Sequence, residues 1–596
     1  MAANSSTEGQ VGRHGDAVAN GLAGDDLDWL SVDWQRAEDA VRRLRQRIFT
    51  ASQEGDLVKV RNLQKLMLRS RANALLSVRR VTELNAGRKT AGIDGNVVVT
   101  ASGKALLADW VQHRSGSWEP KAVRRVYIPK ANGKQRPLGI PVIVDRVLQA
   151  QVVNALEPEW EARFEPRSYG FRPGRGCHDA IEAIYKVAKG ASPKRQWVLD
   201  ADLAAAFDRI DHSCLLDALG EFPAKGLIEG WLKAGVVENR RFAPTEEGTP
   251  QGRVVSPLLL NVALHGMEDA AGVRYLTTGT KAGRTVTGSP VVVRYADDLV
   301  AMCTSREQAE QVKERLRAWL APRGLTFNED KTRIVHLDDG FDFLGFNVRR
   351  YRAKLLIKPS NAAVQRIRER LAVEMRALRG ANVAAVLTRL NPIIRGWSAY
   401  YRTVVSGRVF TKLDHHMWGL TYKWAKHGHQ NKSKRWVVQR YFGEFNKSRR
   451  DRWVFGNREN GAYLPKFAWT NIVRHQMVPG TASPDDPTLA DYWAKRRQRS
   501  APPPLDGVTL RLLRAQHGRC PECGELLLLA DHEPRTLPEW EQWLNVTRKA
   551  VRKQAVTAER ATGTSDEPAA HRLTHTRCRP RPNTRAVNAP RTSASP

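Results

Sequence analysis

Two apolar runs, Val291-Val292-Val293-Arg294 and Leu299-Val300-Ala301-Met302-Cys303, flank the polar tetrad Tyr295-Ala296-Asp297-Asp298. That pattern predicts a strand, a tight turn and a returning strand. A second strand-like stretch, Trp197-Val198-Leu199-Asp200-Ala201-Asp202-Leu203, ends in acids, and Phe207-Asp208 stands at the start of a helix. Elsewhere the apolar period lengthens to three and four. From Trp34, the residues Val41, Leu44 and Ile48 share one face, with Arg42, Arg43, Arg45 and Arg47 around it. After Gly55, Leu63, Leu66 and Met67 make an apolar face beside Lys59, Arg61, Lys65 and Arg69. Ser360 is an N-cap for a helix carrying Val364, Ile367, Leu371, Met375 and Leu378, which Gly380 closes.

Adjacent carboxylates at a strand turn repel each other and lose solvation, so they call for a divalent cation. An Asp-Asp pair alone reads equally well as a polar hairpin turn. Asp202, a third carboxylate at the end of another strand, tips the reading to a metal site. Two Mg²⁺ ions roughly 3.5 to 4 Å apart, held by carboxylates from neighbouring strands, are the general device for in-line nucleotidyl transfer.

Charge supplies the substrate class. The chain has 96 Lys and Arg against 62 Asp and Glu, a formal charge of +34 over 596 residues, which implies a polyanionic partner bound in a salt-sensitive way. No stretch approaches the roughly 18 apolar residues of a spanning helix, and the N-terminus lacks a secretory apolar core. A cytoplasmic nucleic-acid-binding protein of several domains is expected. Six cysteines form no disulfide framework at this size; Cys177, Cys214 and Cys303 read as small buried residues.

Longer words make the resemblance specific. The Tyr295–Asp298 turn, Asp202 to Phe207, and Thr249-Pro250-Gln251-Gly252 with Ser256-Pro257-Leu258 resemble the palm of a reverse transcriptase, of the kind encoded by bacterial group II introns. Tyr127 to Lys130 with Arg136 to Pro141 resembles its fingers hairpin, with Asn132-Gly133 as a two-residue turn. Ser168 to Gly176, Gly324-Leu325 to Lys331-Thr332, and Phe341 to Phe346 match further blocks in order. The likeness runs from about residue 34 to 505. It implies an α+β multidomain chain: a right-hand polymerase with fingers and an antiparallel palm sheet, a helical thumb, and a maturase domain.

The resemblance also implies roles. Asp202, Asp297 and Asp298 would hold the metals. Phe207 is similar to the aromatic gate that crowds a 2′ hydroxyl. Lys130 and Arg136 would pair with the incoming triphosphate, and Gln251 would lie along the nucleotide sugar. Lys331 reads either as the general acid for pyrophosphate or as a solvated helix-end lysine. Arg253 stands where the family pattern leads us to expect a second glycine, which puts the local turn geometry in question.

Residues 1–33, rich in Gly, Ala, Asn, Ser and Asp without apolar periodicity, read as a disordered tail; the resemblance implies a helical extension at 34–115, fingers and palm at 116–350, thumb and maturase domain at 351–440, and a DNA-binding region at 441–505. Asn391 to Trp436 is similar to the maturase domain, where Arg395, Lys432, Lys434 and Arg435 are expected to meet RNA and most tryptophans to be core. Residues 506–582 resemble an HNH-like zinc module, before a tail at 583–596. Cys520 and Cys523, then His575 and Cys578, supply four zinc ligands, and His532 is the nuclease candidate. The module's later asparagine and histidine are not evident, since Arg579 follows Cys578. A structural or DNA-docking zinc module is therefore favoured over a working nickase.

The expected function is an RNA-directed DNA polymerase and maturase that grips its group II intron RNA, assists splicing and copies the RNA into a DNA target using dNTPs. The alternatives are a splicing-only maturase and a non-intron bacterial reverse transcriptase. The sequence leaves oligomeric state open.

Overall fold

In the computed structural model, the described residues are 27–498 except 86, 130–134, 250–251, 281 and 447, together with 512, 515–516, 520–522, 527, 556–560, 571–575 and 578. Helices Trp34–Gln53, Leu57–Leu68 and Arg71–Arg79 begin where Asp33, Asp56 and Ser70 accept the amides of Arg36, Lys59 and Asn73. Their apolar faces pack on the long helix Ile143–Arg163. Leu66 does not join them; it is 50% exposed. The buried stripe runs Val60, Leu63, Gln64, Met67, and Leu66 lies about 100° off it.

Two sheets follow, built from β1 (Val123–Pro129), β2 (Gln135–Ile140), β3 (Trp197–Asp202), β4 (Val236–Glu238), β5 (Arg241–Ala243), β6 (Val291–Tyr295), β7 (Asp298–Cys303) and β8 (Arg333–His336). The fingers sheet has the order β2-β1-β4-β5, and the palm sheet β6-β7-β3-β8. Pro129 lies opposite Gln135, leaving the odd number of residues 130–134 between them. The turn expected at Asn132-Gly133 lies outside the described residues.

The palm strands read as unbroken apolar runs because both faces are buried. Leu199 and Ala201 of β3 and Leu299, Ala301 and Cys303 of β7 face a core shared with the N-terminal helices. Val198, Val300 and Met302 point the other way, into a core shared with the thumb. Cys177 and Cys303 are buried as expected, whereas Cys214 is only half-buried.

A hairpin-containing sheet, β9 (Phe341–Phe343), β10 (Phe346–Tyr351) and β11 (Lys354–Pro359), leads into helices Asn361–Ala377, Val383–Tyr401 and Gly407–Gly428. Ser360 caps the first of these, accepting the Ala363 amide. The chain then doubles back. Arg175 donates to the carbonyls of Gly480 and Ala482, Asp179 accepts from Val478 N and faces His475, and Arg45 grips Asp485 and Glu157 at 2.7 Å each. Residues 473–493 thus pack as a strap across palm, thumb and N-terminal helices. Arg496 donates to the Gln476 carbonyl.

Candidate active site of the palm

Tyr295 pairs with Asp298, so Ala296 and Asp297 form the turn. Ala296 has φ +59°, at the first central position of a two-residue hairpin where glycine is usual. Such a conformation costs on the order of 1–3 kcal/mol and persists only where its surroundings impose it. Gly170 is pressed so close that a Cβ there would lie 2.3 Å from Ala296 N. Asn261 Nδ2 donates to the Gly170 carbonyl at 2.8 Å and its Oδ1 accepts from Arg294 Nη1 at 2.9 Å. Arg294, wholly buried, also reaches the Ala296 carbonyl at 3.4 Å. Arg294 and Asn261 were missed in the sequence; the signal available was an arginine in an otherwise apolar strand.

The three aspartates meet at one end of the sheet. Asp202 and Asp298 face each other across β3 and β7, an unfavourable pairing for like charges. Burial, then the charges of Asp297 and Asp202, push the Asp298 carboxyl up to about 7. Asp297 is also raised, by burial first and then by Asp202, while Arg136 and Lys331 oppose the rise. Lys331 Nζ lies 2.6 Å from Asp202 Oδ2. Its turn is pinned by Asn328 N donating to the Asp202 carbonyl at 2.8 Å and by Lys331 N donating to the Asn328 carbonyl. The lysine head is largely solvated yet held by the acid cluster.

Phe207 is buried on the short helix Ala206–Arg209, edge-on to the half-exposed ring of Phe171 at 6.0 Å. Arg136 is exposed on β2 and acts on Asp297. Lys130 and Gln251 lie outside the described residues. Beside Gln251, Gly252 (φ +105°) would place a Cβ 2.9 Å from the Gly139 carbonyl. Arg253 fills the position expected to be glycine by turning inward: it is buried and donates to the Trp231 carbonyl, near Asp145, which accepts both Trp118 and Trp231 indole N–H groups.

Carboxylate oxygens are hard donors and fit Mg²⁺. Ionised carboxylates are needed to hold such a cation, so a cation held by Asp298 would compete with its proton. Affinity for Mn²⁺, a spectroscopic stand-in, is expected to rise about tenfold per pH unit below 7 and to level off above it. The cation-free fold runs the opposite way. Because the folded value lies above the unfolded one of about 3.9, the Asp298 contribution to stability is fully present below pH about 4 and is lost as pH rises through 7. Electron-resonance titration across that range checks this; an affinity flat with pH would refute it.

Among the described residues, only Cys520, His575 and Cys578 bring three ligand atoms within 4.8 Å of one another. The aspartates are more open, as like charges and the Lys331 ion pair dictate. Cys520 is buried, and Cys578 Sγ lies 3.9 Å from His575 Nδ1. Thiolate and imidazole donors suit zinc. Cys523 and His532 lie outside the described residues. In the thumb, Arg395, Lys432, Lys434 and Arg435 are exposed. Of the tryptophans expected mostly to be core, Trp397 is buried, but Trp424 and Trp436 are only partly buried and Trp418 is 36% exposed, so that expectation is not met.

Comparison with known proteins fixes the family. The profile of the reverse transcriptase (RNA-dependent DNA polymerase) family matches residues 128–348, that of the N-terminal domain of reverse transcriptase 29–110, and that of the group II intron maturase-specific domain 364–442. Protein YkfC of Escherichia coli is 35% identical over 309 residues, covering 47% of this chain and 81% of that one. The chain belongs to the group II intron-encoded reverse transcriptase/maturase family. The group II intron-encoded protein LtrA of Lactococcus lactis is similar to this reverse transcriptase at 29% identity, over 44% of this chain and 53% of that one. A 91 kDa protein in the cob intron of Schizosaccharomyces pombe is 27% identical over 59% of this chain and 52% of its own length. The chain therefore spans only about half the length of the latter two relatives. Among the described residues no helix is long and apolar enough to cross a membrane.

Proposed function

We propose that this reverse transcriptase binds its own group II intron RNA, assists its splicing, and copies it into DNA from dNTPs at a target DNA site, acting in the cytoplasm. The observation that carries the reading is the placement of Asp202 opposite Asp298, with Asp297 on the strained turn between β6 and β7. Asp202, Asp297 and Asp298 would hold two Mg²⁺ ions, which when bound supply charge neutralisation at the transferring phosphoryl group and activation of the 3′ hydroxyl. Arg136, and by resemblance Lys130, would pair with the triphosphate. Phe207, backed by Phe171, would close the sugar side against a 2′ hydroxyl, and Gln251 would lie along the nucleotide. Lys331 Nζ, poised on Asp202, holds a proton within the acid cluster for the departing pyrophosphate.

Unused carboxylates facing each other beside a polyanion would be an electrostatic cost, which weighs against a splicing-only protein. Primer extension on an RNA template with Mg²⁺, run beside splicing of the flanking intron transcript, tests both halves. A wild-type protein that splices but does not extend would leave only the maturase reading.

The C-terminal module is proposed to hold one zinc through Cys520, Cys523, His575 and Cys578, in a structural or DNA-docking role. Cys520→Ser is expected to reduce bound zinc from about one equivalent to a small fraction, by mass spectrometry of the metal. Unchanged zinc content would remove the site from the account. Bottom-strand cleavage lost on His532→Ala would restore the nickase.

A further inference from the structure

Beyond the thumb helices lies a cleft of ≈ 470 Å³ lined by Arg449, Arg450, Asp451, Arg452, Trp453 and Trp469. Its aromatic surface is not hidden by the fold. Trp453 is 54% exposed, and it meets edge-on the ring of Trp418, itself 36% exposed. Trp418 stacks in turn on Tyr422, with centroids 5.5 Å apart and planes at 12°. The mount is firm: Trp453 directly precedes Val454–Phe455, which pairs with Phe442–Gly443, and its backbone N–H is held by Asp451 Oδ1.

The charges sort into used and unused. Asp451 is taken by Lys466 at 2.6 Å, and Arg449 leans over Trp469 at 6.0 Å. Arg450 and Arg452 are exposed and have no acidic partner among the described residues. A wetted indole face beside two unengaged guanidinium groups matches a nucleobase with its flanking phosphates. If Trp453 served only to pack against Trp418, more than half of it would not remain in water.

We propose that this cleft seats an unstacked base of single-stranded nucleic acid, with Trp453 as the stacking platform and Arg450 and Arg452 on the adjoining phosphates. The inference rests on the nucleic-acid reading of the protein but uses no residue of the palm. The test is fluorescence anisotropy with short labelled single strands of RNA, of DNA, and of an abasic backbone, on the full chain.

Trp453→Ala is expected to weaken binding of base-bearing strands by about 5- to 150-fold, to leave the abasic strand and the salt slope unchanged, and to be largely rescued by Trp453→Phe. Arg450→Ala with Arg452→Ala should weaken all strands and reduce the salt slope by about 0.7 for each phosphate no longer neutralised. A Trp453 effect confined to RNA assigns the cleft to intron RNA; one confined to DNA assigns it to a displaced DNA strand; equal effects assign it to either. An equal loss on the abasic strand, or no loss on any strand, overturns the proposal. A wild type that failed to polymerise would sink the polymerase reading and leave these binding results intact.

Discussion

Asp297→Ala is expected to reduce RNA-templated DNA synthesis by ~10³-fold or more while intron RNA binding persists. A metal-held transferring group contributes several kcal/mol of transition-state stabilisation, and each ~1.4 kcal/mol is tenfold in rate. The variant also removes one of three mutually repelling carboxylates; burial first, and then that repulsion, pushes Asp298 up to about 7. Its thermal midpoint in the absence of divalent cation should therefore rise rather than fall. That pairing of lost synthesis with gained stability separates a functional acid from a structural one. Asp202→Ala should lose synthesis to a similar degree, but without the same gain, because it also strands Lys331, now bonded to Asp202 at 2.6 Å. Near-normal primer extension by Asp297→Ala would end the two-metal reading.

The acidic turn was legible because its signal is local. A hairpin with strands buried on both faces writes itself as two apolar runs around a polar break, and β6 and β7 stand where those runs predict. Asp202 was legible through the same alternation on β3. What holds the turn in shape was not, because it comes from distant chain. Gly170, Asn261 and Arg294 act by backbone approach and buried hydrogen bonds, which leave no periodic trace.

Charge misled in the same way. Arg172, Arg175 and Arg253 contribute to a basic composition that reads as phosphate-binding, yet all three are buried and spend their donors on carbonyls and carboxylates inside the protein. Leu66 failed for the opposite reason: an apolar residue one step off the buried stripe counts toward composition but not toward the core.

The buried Arg172–Glu161 pair is expected to show the largest stability effect. Arg172 Nε and Nη2 bind Glu161 at 2.9 and 3.0 Å, and its Nη1 donates to the carbonyls of Glu165 and Ser168. Both side chains are essentially inaccessible to water. Arg172→Met leaves Glu161 buried without its partner and should cost about 3–5 kcal/mol, plus about 1–3 kcal/mol for the Ser168 carbonyl left unsatisfied.

Arg172→Met with Glu161→Leu removes the stranded charge and should recover the first part only, since the Ser168 carbonyl remains bare while the Glu165 carbonyl keeps the Ser168 N–H at 3.3 Å. Ser168 bridges to Arg294, and Gly170 abuts Ala296, so a loosened 168–172 segment releases the strained turn. Synthesis should then fall further than the residual folded fraction accounts for. Urea midpoints and extension rates on the wild type and the two variants decide it. Equal midpoints for the single arginine variant and the double variant would mean that the pair contributes nothing beyond the carbonyl bonds.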